Sequence, residues 1–132
     1  MLFFLYFIII HNFVRYKQTN LEPNPVIKGS LTTIILKLLE DNSKMYGYEM
    51  TKAVREITAN KMDITEAALY PALHKLLDEE LIETTSEVVD GRLRKYYSLT
   101  KKGKKETISK VNALKEAIAS LQLILNPNLS NG

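Results

Sequence analysis

Apolar residues recur in several distinct registers along this chain, and each register predicts an element. Leu31, Ile34, Ile35, Leu38 and Leu39 fall at i, i+3, i+4, i+7 and i+8, one buried face of a helix. Ser30 is placed to cap that helix, and Asp41-Asn42-Ser43 breaks it. A second helix is expected from near Gly47 to near Thr58, with Met50, Val54 and Ile57 as its buried stripe. Ala59 to Asp63 is a polar connection. Thr65 can cap a third helix, leaving Glu66 in the first turn, where a carboxylate suits the helix dipole. Leu69, Leu73, Leu76 and Leu77 make its inner face; Ala67, Tyr70, Pro71, His74 and Lys75 make its outer one.

The period then changes. Ile82 to Val88 and Arg94 to Leu99 read as two strands, joined at Asp90-Gly91. That pair is a hairpin signal, because glycine accepts the positive φ of a tight turn. Thr100 can cap a long final helix. Its apolar residues Ile108, Val111, Leu114, Ile118, Leu121 and Leu125 are spaced three or four apart, close to a 3.5-residue repeat, and Asn126-Pro127 ends it.

The first ten residues, MLFFLYFIII, follow none of these patterns. The run is uncharged and shorter than the roughly 20 residues that a spanning helix needs. It lacks the basic start and small-residue cleavage site of a signal peptide. Two readings stand: translated sequence upstream of the true start, or a short membrane or partner anchor. Thr19 to Lys28, with Pro23 and Pro25, reads as an extended linker.

The order α-α-α-β-β followed by a long helix predicts a mainly α fold with a small β-hairpin, a winged helix-turn-helix. The expected division is an apolar extension and linker over 1–28, the winged helix over 29–100, a dimerisation helix over 101–126 and a tail over 127–132. Charge sharpens the reading. Between Ser30 and Asp90 twelve acids face six bases, whereas between Gly91 and Lys110 eight bases face the single acid Glu106. The cations therefore sit on the hairpin and the helix start after it, where they need a polyanion.

Enzymatic chemistry finds no foothold. His11 and His74 lie on unrelated segments, and no metal-protease, phosphate-loop, dinucleotide or nucleophile-elbow pattern occurs. With no cysteine, thiolate chemistry and disulfides are excluded. No cofactor or metal is expected.

The third helix is the candidate reader of base edges. Its N-terminal outer face, Thr65, Ala67, Tyr70, Pro71 and His74, is nearly uncharged and small at the start, which permits close approach to a major groove. Arg92, Arg94 and Lys95 on the wing suit phosphates or a narrow minor groove. Tyr96 and Tyr97 point to opposite faces of their strand, one into the core and the other available to cover the third helix. The apolar stripe of the last helix suits pairing with a second copy, and a two-fold pair matches a palindromic operator.

Taken together, these residues resemble the PadR family of bacterial transcriptional regulators. The likeness rests on Tyr46-Gly47-Tyr48-Glu49, on Leu69-Tyr70-Pro71-Ala72-Leu73-His74-Lys75-Leu76, on Leu81-Ile82, on Asp90-Gly91-Arg92, and on the run from Lys95-Tyr96-Tyr97 to Gly103. It extends from about Ser30 to Leu125. The resemblance implies a dimeric repressor of the small subfamily with one C-terminal helix, and places Tyr48, Tyr70 and the wing cations at or near DNA. Two departures stand out. Thr65-Glu66-Ala67-Ala68 replaces the family's frequent Ser-Glu-Gly-Thr, so a hydroxyl that could meet a phosphate is missing at Ala68. The first twenty residues match nothing in the family.

The expected function is therefore a cytoplasmic, DNA-binding, ligand-responsive repressor. Its expected partners are a palindromic operator in double-stranded DNA, a second copy of the chain and a small apolar effector; a membrane is not among them. The alternative is a winged helix used for protein–protein contact, with its acidic body as the docking surface.

Overall fold

The structure, a computed structural model, describes residues 2–19 and 24–128, with the backbone alone for 13–19. Among the described residues the elements are α1 (Leu2–Thr19), α2 (Pro25–Asp41), α3 (Gly47–Ile57), α4 (Glu66–Asp78), β1 (Ile82–Val89), β2 (Arg92–Leu99) and α5 (Lys101–Leu125). Part of the expected linker, residues 20–23, lies outside the described residues.

The first helix of the domain starts earlier than Ser30. Asn24 is its cap, its side-chain oxygen accepting the Val26 N–H at 2.9 Å. Pro25 fits the first helical position, where its fixed φ is helical and its missing N–H would have had no partner in any case. Ser30 is thus a half-buried residue inside α2. Pro25 to Lys28 are helical, and α1 gives the N-terminal segment an element of its own.

α2 touches α3, α4, α5 and β2. Contact on several sides explains why Leu36, outside the i, i+3, i+4 stripe, is as buried as Ile35. The core gathers Leu31, Ile35 and Leu39 of α2, Met50 and Val54 of α3, Leu69, Leu73 and Leu76 of α4, and Leu81, Ile82, Tyr97 and Leu99 around the hairpin base. Ile57 departs from its expected stripe. It ends α3 with its side chain exposed, because the chain turns away at Thr58 through Ala59 and Asn60, both at positive φ.

β1 and β2 pair antiparallel from Ile82↔Leu99 to Val89↔Arg92. Asp90 and Gly91 have φ of 52° and 73°, the double left-handed geometry of a tight hairpin turn. Burial is confined to the base of the hairpin, so its far half projects from the domain with Val88 and Leu93 exposed. A bridge between Met45 and Tyr97, with N–H···O distances of 3.0 and 2.8 Å in the two directions, ties the α2–α3 loop to β2.

The start of α5 is fixed to the α4–β1 junction. The Thr100 N–H donates to the Leu81 carbonyl at 3.1 Å and the Thr100 hydroxyl to the Glu80 carbonyl at 2.7 Å. Gly103 makes this approach possible: a Cβ there would lie 1.8 Å from the Leu81 carbonyl oxygen. Beyond that point α5 runs along α2, then past it. Val111 and Leu114 are half-buried, whereas Ile118, Leu121, Leu123, Ile124 and Leu125 stand exposed.

Candidate nucleic-acid interface

Thr65 caps α4 as its sequence suggests, its hydroxyl accepting the Ala68 N–H at 3.2 Å. With Leu69, Leu73 and Leu76 buried, Ala67, Tyr70, Pro71, His74 and Lys75 all lie on the exposed side of α4. Pro71 cannot donate to the Ala67 carbonyl one turn earlier, which falls on that same exposed face. Ala68 is half-buried against the core. Its N–H is taken by Thr65, so the position missing a hydroxyl is also one drawn inward.

Tyr70 is 43% exposed, and its hydroxyl would sit 3.1 Å from a Cβ built on Gly47. A glycine at the start of α3 therefore lets α3 and α4 close together over Tyr70. Tyr48, next in α3, is 57% exposed. Its ring stacks near that of Tyr46 at 6.3 Å between centroids. Tyr48 and the outer face of α4 thus flank the contact between α3 and α4.

The wing cations divide into two kinds. Arg92 and Lys95 are exposed, while Arg94 is half-buried and turned inward. The Arg94 guanidinium lies 4.8 Å from the centre of the Tyr46 ring. Hydrogen bonding to Tyr96 and the nearby Tyr46 hydroxyl hold its pKa above the ordinary arginine value. Tyr46 meets Tyr96 edge to face at 5.6 Å, and the Lys44 ammonium sits 4.9 Å from the Tyr96 ring while pairing with Glu87 of β1. The hydrogen bond to Glu87 raises the pKa of Lys44. This aromatic and ionic cluster joins the wing to the start of α3.

Tyr46 also belongs to the start of α3, since its N–H donates to the Glu49 carboxylate at 3.0 Å. The role was hidden in the sequence because a tyrosine, not a serine or threonine, stands at the cap; Glu49 three residues on was the readable half of the pattern. Of the two wing tyrosines Tyr97 is the core residue, 5% exposed. Burial raises its pKa, and nearby Tyr70 adds to the shift. Tyr96 does not cover α4, as the strand alternation had allowed; it packs on Tyr46, because the bridge at Met45 draws the α2–α3 loop against its face of β2.

A groove of about 470 Å3 runs between the first turns of α2 and the outer face of α4, lined by Lys28, Gly29, Leu31, Thr32, Ala67, Ala68, Pro71, Ala72 and Lys75. It brings Lys28 close to the outer face of α4, which the linker reading could not show. Lys101, Lys104 and Lys105 are exposed in the first turns of α5, while Lys102 donates to the Glu79 carbonyl at 3.0 Å. Among the described residues there is no cluster of acids and histidines suited to a metal ion.

The stripe on α5 divides as well. Val111, Leu114 and Ile118 line a second groove, about 490 Å3, with Ile27, Ile34, Leu38, Val54 and Ile57. Ile108, Leu121 and Leu125 lie exposed.

Comparison with known proteins agrees with this geometry. An uncharacterised protein of Lysinibacillus sphaericus is 40% identical over 80 residues, 60% of this chain and 72% of that one. A transcriptional regulator from Clostridium thermocellum superposes with a TM-score of 0.66 at 31% identity, covering 79% of this chain and 97% of that one. A PadR-like transcriptional regulator from Bacillus cereus gives 0.66 at 26% identity, over 78% and 98%. Bacillus subtilis PadR in complex with operator DNA gives 0.55 at 29% identity, over 61% of this chain and 46% of that one. The pattern of the PadR-like transcriptional regulator family matches residues 35–108, from the middle of α2 through the wing into α5. The chain belongs to the PadR-like family, and is a transcriptional regulator rather than an enzyme.

Proposed function

We propose that this regulator is a dimeric, ligand-responsive repressor that binds a palindromic operator through α4 and the wing. The observation that carries the reading is the nearly uncharged N-terminal outer face of α4, with exposed Arg92 and Lys95 on the adjoining hairpin and exposed lysines at the start of α5. The division of labour is physical. Cations on phosphates supply affinity without sequence preference, and Ala67, Tyr70 and Pro71 supply the close apolar surface that base edges require. The operator complex of Bacillus subtilis PadR supports the same use of the fold.

The exposed second half of α5 supports pairing with a second copy, which buries Leu121, Ile124 and Leu125. In such a pair two α4 helices would enter successive major grooves about 34–36 Å apart. The apolar groove between α2, α3 and α5 has the volume of a small-molecule site, a few hundred Å3, and is the place for an apolar effector. An effector there would act by altering how α5 lies on α2.

Selection of binding sequences from a random duplex library tests the reading, with sedimentation in parallel. The expected result is a two-fold symmetric site bound by a dimer, with affinity falling as salt rises. A monomer, or affinity indifferent to salt, would refute it.

A further inference from the structure

Nine consecutive apolar side chains, Leu2 to Ile10, stand in solvent on α1, each between 42% and 90% exposed. Soluble proteins rarely leave so large an apolar patch uncovered. The DNA-binding reading gives this helix no task.

The arrangement around the helix identifies what covers it. At 100° per residue, nine residues distribute over every side of the cylinder, so the Leu2–Ile10 stretch of α1 has no polar back. A helix that enters a protein groove or a paired coil shows a stripe. α5 is the contrast within this chain, with Lys104, Lys105, Lys110, Asn112, Lys115 and Glu116 among its apolar positions. An all-round apolar surface matches an apolar medium, the hydrocarbon of a lipid layer.

Length and charge narrow the fit. Nine residues rise about 13.5 Å, roughly half the ~30 Å hydrocarbon thickness. Among the described residues no helix is long and apolar enough to cross a membrane. No acid occurs before Glu22, whereas Arg15 and Lys17 follow Ile10 on the same helix. They lie about 8 and 11 Å farther along its axis, where headgroups begin. Cations at that depth are drawn to acidic lipids.

We propose that the Leu2–Ile10 stretch of α1 embeds in one leaflet of an anionic membrane surface, with the basic stretch 15–17 of the chain following at headgroup level, so that the regulator is tethered while its DNA-binding face stays in water.

The full chain is mixed with vesicles of phosphatidylcholine and phosphatidylglycerol at three to one, without DNA, and pelleted. The chain has no tryptophan, so Phe7→Trp adds a single reporter. The expected result is co-pelleting, a blue shift of that tryptophan and its quenching by brominated acyl chains. Phe4→Glu with Phe7→Glu abolishes pelleting, and Arg15→Gln with Lys17→Gln weakens it about 30-fold. Thermal melts of the variants show whether the winged helix keeps its fold. Pelleting that survives the two glutamates means the wing and α5 cations hold the vesicle, and overturns the proposal. A blue shift already present without lipid, in a larger assembly, assigns α1 to a second copy and overturns it equally. Failure to bind any DNA leaves this result untouched.

Discussion

Arg94 and Arg92 carry the same charge two residues apart, yet they stand in different surroundings. Arg92 is exposed at the tip, whereas Arg94 is half-buried against Tyr46. Replacing Arg94 by alanine removes the guanidinium–ring contact with Tyr46. If the wing must be held in place to bind, affinity for DNA falls about 2–5-fold. The loss carries no counterion, so it is the same at every salt concentration. If Arg92 meets a phosphate as proposed, replacing it lowers the salt slope by about 0.9. Over a fourfold rise in salt, from about 50 to about 200 mM, the advantage of wild type over Arg92→Ala shrinks about 3.5-fold. The assay is fluorescence anisotropy on an arbitrary duplex, since phosphate contacts ignore sequence. Tyr46→Leu should reproduce Arg94→Ala, and the double variant should be less than additive. A salt slope for Arg94→Ala reduced as much as for Arg92→Ala would mean that Arg94 leaves Tyr46 to bind phosphate, and would refute the assignment.

Other consequences follow from the same structure. Gly103→Ala drives a Cβ into the Leu81 carbonyl and is expected to cost about 3 kcal/mol or more, measured by urea unfolding. Glu80 sits at φ 57° just after α4, with the Leu81 N–H donating back to the Leu76 carbonyl at 3.0 Å; Glu80→Gly relieves that left-handed strain and is expected to stabilise by about 0.5–1 kcal/mol. Tyr97 has its pKa raised by burial and then by Tyr70, so the folded state holds the phenol proton more tightly than the unfolded chain. That contribution is complete below the ordinary tyrosine value of about 10 and is lost as pH rises through the folded value. In an alkaline titration followed at the phenolate absorbance, Tyr97→Phe should delete a phenolate signal that appears above the ordinary tyrosine value.

Much of the candidate interface was legible because local chemistry controls it. Thr65 caps α4 through a bond three residues away, and Asp90-Gly91 sets the turn through two φ angles. The outer face of α4 follows from helical spacing once Leu69, Leu73 and Leu76 turn inward. Arg94 was not legible in this way. A strand alternation says which side a residue takes, not what waits there, and Tyr46 reaches it only through the Met45–Tyr97 bridge.

Legible from the residues alone were the order and kind of elements from α2 onward, the position of the turn, the outer face of α4 and the concentration of cations after Gly91. All of these depend on period, on neighbouring residues or on composition. Three-dimensional contacts set which wing cation is exposed and which is half-buried against Tyr46. The tertiary structure alone placed Lys28 beside α4, buried Leu36, exposed Ile57, chose Tyr97 over Tyr96 for the core and showed why Gly103 must be glycine. Those outcomes depend on contacts between residues far apart in the chain, which no local pattern records. α1 marks the boundary between the two: its apolar run was evident from the residues, but the exposure of all nine side chains is a fact of three dimensions.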